Sequence, residues 1–360
     1  MVKPVIFGIS GTRLTSDEIN LFKENEAVGF ILFARNIETK QQLNELTGEL
    51  KSLYPNRKTL IFVDQEGGRV ARIKPPIAKS LFPSAEHFAN NYQSTPLKAK
   101  SELKANCMEL MSELKQFGID SPCAPVCDIK FDGASDVIGD RSFGSSPEQV
   151  IDLCRAAIAG IKRSEGIPFI KHIPGHGRAT VDSHYELPVV EEPLDVLRNT
   201  DFTVFKELAK ENVWGMTAHI IYKALDPDNT ATTSQKVIEY IRNNIGFKGT
   251  LVSDDICMYA LHGEIGKKNA ILKRVLELAS QNKQWKEKYA EELEKTFSFN
   301  AYEIGNSIIM EQCENKLHEL KPVFLESLAK VTKMTLDAGC DIVLHCSGDL
   351  AEMQAVCKAL

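Results

Sequence analysis

The chain has 360 residues, 43 Lys and Arg against 49 Asp and Glu for a formal charge of −6, and 43% apolar residues. Its length admits one large α/β domain or two ordinary ones, and its composition is that of a soluble globular protein, not of a disordered chain. The acidic balance leaves no surplus of cations to neutralise a phosphate backbone, so no nucleic-acid partner is expected. No stretch approaches the roughly 18 apolar residues of a membrane span, and the apolar run near the N-terminus is too short for a signal peptide, so neither a membrane partner nor export is expected and the location read is cytoplasmic. Nine cysteines, an odd count without paired metal-ligand spacing, suit free buried thiols in a reducing compartment. Cys123 and Cys127 are the one near pair, and no second pair stands at zinc-site distance.

In chain order, short apolar runs alternate with longer segments of helical period. Runs at 5–9, 28–32, 60–63, 119–126, 168–171, 214–218, 250–253 and 341–345 predict eight strands. Helical patterns at 17–25, 41–53, 97–117, 147–163, 194–210 and 235–244 fall between them, with Gly118 and Gly166 placed as left-handed C-caps. Repeated βα units of this kind predict an α/β protein, a single (β/α)8 TIM barrel, with a doubly wound open sheet as the structural alternative. Asp64, Asp128, Lys171 with His172, His219, Asp254 and His345 each follow a different strand. In a barrel these strand ends converge on one mouth, which favours the barrel.

One region breaks the rhythm. Residues 263–333 carry no strand signal and include a highly charged stretch from Lys283, which predicts a helical insertion between strands seven and eight, within a catalytic barrel spanning 1–360. Such an excursion should be removable if it makes few core contacts, since the cost of loop closure grows slowly with length.

Three segments carry candidate chemistry. After the fifth strand, Lys171-His172-Ile173-Pro174-Gly175-His176-Gly177-Arg178 leads on to Asp182-Ser183-His184; two glycines and a proline make this a shaped loop. If 182–184 is extended, Asp182 and His184 point to one side, so the carboxylate can fix the imidazole tautomer of a general acid/base. After the seventh strand, Ser253-Asp254-Asp255-Ile256-Cys257-Met258 delivers Asp254 to the mouth, where a nucleophile would stand, while Asp255 points elsewhere by alternation; a helix N-cap is the other role open to either aspartate. After the third, Asp64-Gln65-Glu66-Gly67-Gly68-Arg69-Val70-Ala71-Arg72 offers in Asp64 and Arg72 an acceptor and a forked donor suited to neighbouring sugar hydroxyls.

Those segments, together with Gly139-Asp140-Arg141-Ser142-Phe143-Gly144, stand in the order found in glycoside hydrolase family 3, and the chain resembles its NagZ-type β-N-acetylglucosaminidases over residues 4–262 and again at 337–341. The resemblance implies a retaining β-N-acetylhexosaminidase with Asp254 as nucleophile and His184 as acid/base, oriented by Asp182. It implies that Asp64, Arg72, Arg141, Lys171 and His172 bind the terminal N-acetylglucosamine. It further implies a monomer without metal or organic cofactor, acting on a glycan or 1,6-anhydro-muropeptide in peptidoglycan recycling. The long insertion departs from the family pattern.

Other readings use the same residues. A β-glucosidase, β-xylosidase or glycoside phosphorylase of the family would share the covalent intermediate. A metal-dependent barrel hydrolase could recruit His172, His176, His184 and His219, although Ile9-Ser10-Gly11 stands where the usual His-x-His pair would be. A barrel serving only in binding is the third class.

Overall fold

The structure is a computed structural model that describes residues 2–181 and 186–360. Seven parallel strands form the main sheet: β1 (Lys3–Gly8), β2 (Ala27–Leu32), β3 (Leu60–Val63), β4 (Phe169–Ile173), β5 (Trp214–Thr217), β6 (Leu251–Asp255) and β7 (Ile342–His345). Their spatial order is β3-β2-β1-β7-β6-β5-β4, so the chain winds outward in both directions from β1 and β7. Seven of the eight expected strands are therefore present, each within two residues of its expected bounds.

The eighth, expected at 119–126, is not a strand. Two isolated bridges, Phe62 with Ser121 and Val126 with Lys171, are its ladder contacts. Pro122 and Pro125 have no N–H to give, and Cys123 adopts φ 48°, so a regular ladder cannot form here. The segment still hydrogen-bonds both outer strands: Val63 N–H donates to Ser121 O at 3.1 Å, and Cys127 N–H donates to Lys171 O at 2.6 Å.

The sheet is curled. Ile6, Ile31, Phe62, Phe169, Met216, Val252 and Leu344, one from each strand, pack together on its inner face. Phe62 of β3 meets Phe169 of β4 edge to face at 5.9 Å, although these strands lie at opposite ends of the sheet order. A flat sheet would hold them far apart, at about 4.8 Å per strand. The outer face is covered by helices, whose apolar stripes close two further core clusters.

Local sequence explains why these helices start where they do. Thr15 caps α1 (Ser16–Glu24): its Oγ1 accepts from Glu18 N–H at 3.1 Å, and Glu18 reaches back to Thr15 N–H at 2.8 Å, completing a capping box. Ser146 caps α5 (Pro147–Arg163), with Pro147 at the first helical position where its missing N–H costs nothing. Within α5, Val150, Leu153, Cys154, Ala157, Ile158 and Ile161 recur at three- and four-residue spacing and are all buried. The remaining crossover helices are α2 (Lys40–Ser52), α3 (Ala85–Ser94), α4 (Pro96–Gln116), the broken pair α6 (Leu194–Asn199) and α7 (Asp201–Leu208), and α8 (Gln235–Tyr240). Gly118 is left-handed as expected, at φ 68°, but after α5 that conformation belongs to Glu165, at φ 56°. Gly166 is needed for a different reason: a Cβ there would lie 2.4 Å from Met111 Sδ.

Between β6 and β7 run α9 (Gly263–Ser280), α10 (Lys286–Phe297) and α11 (Asn306–Asp337). They are helical, as the charge pattern indicated, but the excursion is shorter than 263–333. Leu272, Val275, Trp285, Leu293, Ile309 and Cys313 form a cluster of their own. Beyond Pro322, α11 changes allegiance: Leu328 and Val331 join Val343 of β7 and Met353 of the last helix, α12 (Leu350–Ala359), in the main core. Replacing residues 267–320 with a flexible linker should accordingly leave a soluble chain that unfolds cooperatively. Extending the cut to 333 removes Leu328 and Val331, each worth about 2–5 kcal/mol by analogy with large-to-small core changes, and should abolish folding. Chemical denaturation of both deletions checks this; insolubility of the shorter deletion over several linker lengths would place its cluster in the main core.

Candidate active site

The C-terminal ends of the strands surround a cleft of about 470 Å³, lined by Asp64, Glu66, Arg72, Arg141, Lys171, His172, His176 and Asp254 among others. Every candidate from the loops after the third, fifth and seventh expected strands that falls within the described residues is thus brought to one place. Asp182 and His184 lie outside the described residues.

The floor is a network of buried charges. Glu66 accepts from Arg141 Nε and Nη2, both at 2.8 Å, and from Lys171 Nζ at 2.7 Å. Lys171, with its side chain 2% exposed, also lies 3.2 Å from Asp64, which pairs in turn with Arg72 Nη2 at 3.2 Å. Burial alone would push the Glu66 carboxyl upward, but Arg141 and Lys171 outweigh it and hold it well below the ordinary range. Lys171 mirrors this: burial pulls it down, while Glu66 and Asp64 raise it above its usual value. At neutral pH Glu66, Lys171 and Arg141 therefore carry their charges.

Gln65 orders the turn that presents these carboxylates. Its Oε1 accepts from Arg72 N–H at 2.9 Å and Ile73 N–H at 3.0 Å, and its Nε2 donates to Ile73 O at 2.8 Å. Facing away from Gln65, Asp64 and Glu66 share the cleft side. Glu66 was not singled out from the sequence; the two-residue alternation that pairs Asp182 with His184 would have paired Asp64 with Glu66. The fork of Arg141 is occupied by Glu66, and its Nη1 donates to Val137 O at 3.0 Å.

Asp254 and Asp255 point apart, as alternation requires. Asp254 faces the cleft, accepts from Asp255 N–H at 2.8 Å and lies 3.9 Å from His172 Nε2. Asp255 Oδ1 instead accepts from Cys257 N–H and Cys346 N–H, both at 3.0 Å, and so ties the loop after β6 to the end of β7. Neither caps a helix, which sets aside that role.

His172 is aimed by Asp128, another residue to which the sequence assigned no role. Asp128 is fully buried, receives the His172 ring Nδ1–H at 2.7 Å, and accepts from the backbone N–H of His172 at 3.2 Å and of His176 at 2.6 Å. Burial raises the Asp128 carboxyl, but the two histidines more than reverse this and keep it ionised. His172 Nε2 is left facing Asp254. His176 stacks edge-on against His172 at 5.4 Å, and burial and that neighbour lower it to about 4, so it is neutral at physiological pH. His219 is not available as a ligand or proton carrier: Nδ1 meets Thr232 Oγ1 at 2.7 Å and Nε2 meets Asp255 O at 2.9 Å. His345, expected at the mouth, is fully buried behind the cleft wall.

A charge removed from the floor leaves its partners buried and unpaired, which typically costs about 3–5 kcal/mol. Glu66→Gln should therefore lower stability by that order at pH 7. Because the folded Glu66 carboxyl titrates far below its ordinary value, its contribution is fully present above that ordinary value and fades as pH falls through the acid range. The variant should approach the parent's stability as pH falls, and a deficit that stays constant down to strong acid in urea titrations would contradict the charge assignment.

The profile of the Glycosyl hydrolase family 3 N terminal domain matches residues 5–277. A beta-hexosaminidase of Alkalilimnicola ehrlichii is 37% identical over 261 residues, covering 72% of this chain and 74% of its own length. One from Pseudomonas aeruginosa is 34% identical over 259 residues, covering 72% and 75%. Among solved structures, NagZ from Neisseria gonorrhoeae in complex with N-trifluoroacetyl-D-glucosamine superposes with a TM-score of 0.74 at 28% identity, over 98% of this chain and 84% of that one. With the cleft in the same region of the chain as the family match, the protein belongs to glycosyl hydrolase family 3 and is a glycoside hydrolase.

Proposed function

We propose that the chain is a retaining β-N-acetylglucosaminidase that removes terminal N-acetylglucosamine through a covalent glycosyl-enzyme, with 1,6-anhydro-muropeptides of peptidoglycan recycling as its substrates. The observation that carries this reading is the position of Asp254: a strand-end carboxylate in the cleft, across from a fixed set of sugar-binding donors and acceptors. The names of the two beta-hexosaminidase relatives and of the sugar-bound NagZ neighbour support the choice of sugar. The same reading carries the closed (β/α)8 barrel, with residues 119–127 as the eighth stave; their hydrogen bonds to β3 and β4 support it.

In this mechanism the outer faces of Asp64 and Arg72, the Lys171 ammonium and His172 Nε2 hold the sugar hydroxyls, while Glu66 and Arg141 keep Lys171 in place. Asp254 attacks the anomeric carbon as the glycosidic bond breaks, and His184 gives the departing oxygen its proton. Water then attacks the glycosyl ester, His184 takes the water's proton, and Asp254 leaves as a carboxylate. Two inversions retain the β configuration. A single imidazole must serve as acid and base, which suits a group whose ordinary value is near neutrality. Asp182 orients it.

Asp254→Asn should fold as the parent does and lose nearly all turnover, because an amide cannot form the glycosyl ester; near-parental activity in the folded variant would remove Asp254 from this role. His184→Ala should slow natural disaccharides by about 10²–10⁴-fold and spare the glycosylation step of 4-nitrophenyl N-acetyl-β-glucosaminide, whose leaving group needs little protonation. Azide needs no deprotonation, so it should restore turnover and yield the β-glycosyl azide. Equal slowing of both substrates without azide rescue would contradict the assignment.

A further inference from the structure

Behind the cleft, Cys257, His345 and Glu352 bring three metal-type donor atoms within 4.8 Å of one another, the only such His, Cys and carboxylate group among the described residues. They come from three different elements. Cys257 follows Asp254 by three residues in the loop after β6, His345 ends β7, and Glu352 stands in the first turn of α12. None of the three lines the substrate cleft.

Two of the three separations match the edges of a small tetrahedron. Glu352 Oε2 is 3.4 Å from His345 Nε2 and 3.6 Å from Cys257 Sγ. Bonds of zinc to sulfur, nitrogen and oxygen imply donor-to-donor edges of about 3.3–3.6 Å. The Cys257 thiol can hydrogen-bond Glu352 at its distance, but hydrogen bonding explains the His345 separation poorly: 3.4 Å is long for an imidazole with a carboxylate. A second observation points the same way. His345 is fully buried, its Nδ1 has no hydrogen-bond partner, and its Nε2 faces Glu352 and Ser347 Oγ, both at 3.4 Å. The ring therefore lacks any strong bond of its own at the cluster. Access exists from one side, since Ser347 and the rim of Glu352 reach solvent and Ser347 Oγ is 2.5 Å from Glu352 Oε2.

We propose that Cys257, His345 and Glu352 bind one zinc ion, with water in the fourth position. Binding releases the Cys257 proton to solvent and leaves thiolate, imidazole and carboxylate as ligands, a donor set that suits zinc better than calcium or magnesium. Its role is to fasten α12 and the end of β7 to the loop that carries Asp254. Asp255 already joins those segments through Cys257 N–H and Cys346 N–H, so the ion reinforces an existing seam under the nucleophile without touching substrate.

The test uses the full chain, stripped with chelator and then titrated with zinc or cobalt(II). The intact protein should take up one equivalent, show the near-ultraviolet thiolate-to-cobalt charge-transfer band, and melt at higher temperature with zinc. In Cys257→Ser the cobalt band should vanish, and both Cys257→Ser and Glu352→Gln should lose the melting shift. Affinity should fall by more than the roughly 10–100-fold that loss of an outer-shell partner costs. Both variants keep the size and polarity of the original side chain, and their melts without metal confirm that they fold. Absence of stoichiometric binding, or binding without a thiolate band that persists in Cys257→Ser and blocks turnover, would overturn the proposal; the latter places the ion in the cleft.

Discussion

The constraint on which the site depends is the sharing of one buried carboxylate, Glu66, between Arg141 and Lys171. Three separate pieces of chain meet there: the turn after β3, the short segment at 139–141, and the middle of β4. An unpaired Lys171 in that position would be costly, and so would Glu66, whereas together they satisfy each other and leave Asp64 and Arg72 facing the cleft. The shape of the cleft floor is thus set by charges that satisfy one another.

A second chain of fixation runs from Asp128 through His172 to Asp254, and a third from Asp254 through Asp255 to the end of β7. Each anchors a cleft residue by a group one layer further from solvent. The curled sheet makes this possible by bringing the ends of β3 and β4 face to face, with Phe62 against Phe169 at the centre. The helices after β6 stand largely outside this scheme. Their own cluster is separate, and they touch the seam chiefly where His262 meets Ile256 O at 2.8 Å and Ser327 Oγ at 2.9 Å.

Much of this is legible in the sequence. Seven strands follow from apolar runs ending in polar residues, and Asp64, Lys171, His172 and Asp254 follow from their places at those ends. The run at 119–126 misleads because apolarity is counted before the donors that Pro122 and Pro125 lack. Glu66 is not singled out, and Asp128 is placed at a strand end without a role, since both roles are set by partners 75 and 44 residues away, a relation no local pattern contains. The boundary of the helical excursion is hidden for a similar reason: α11 keeps one helical period throughout while its partners change at about Pro322. His345 shows the limit of strand-end reasoning, which places a residue at the mouth but not on its inner side.

The central claim is that Asp254 forms a glycosyl ester, and the most direct measurement of it is covalent trapping. A 5-fluoro N-acetylglucosaminyl fluoride should form the ester quickly and release it slowly. Intact mass should rise by one sugar residue, and peptide mapping should place the label on Asp254. A label on any other residue, or rapid turnover with no enzyme-bound sugar and an inverted product, would contradict the account.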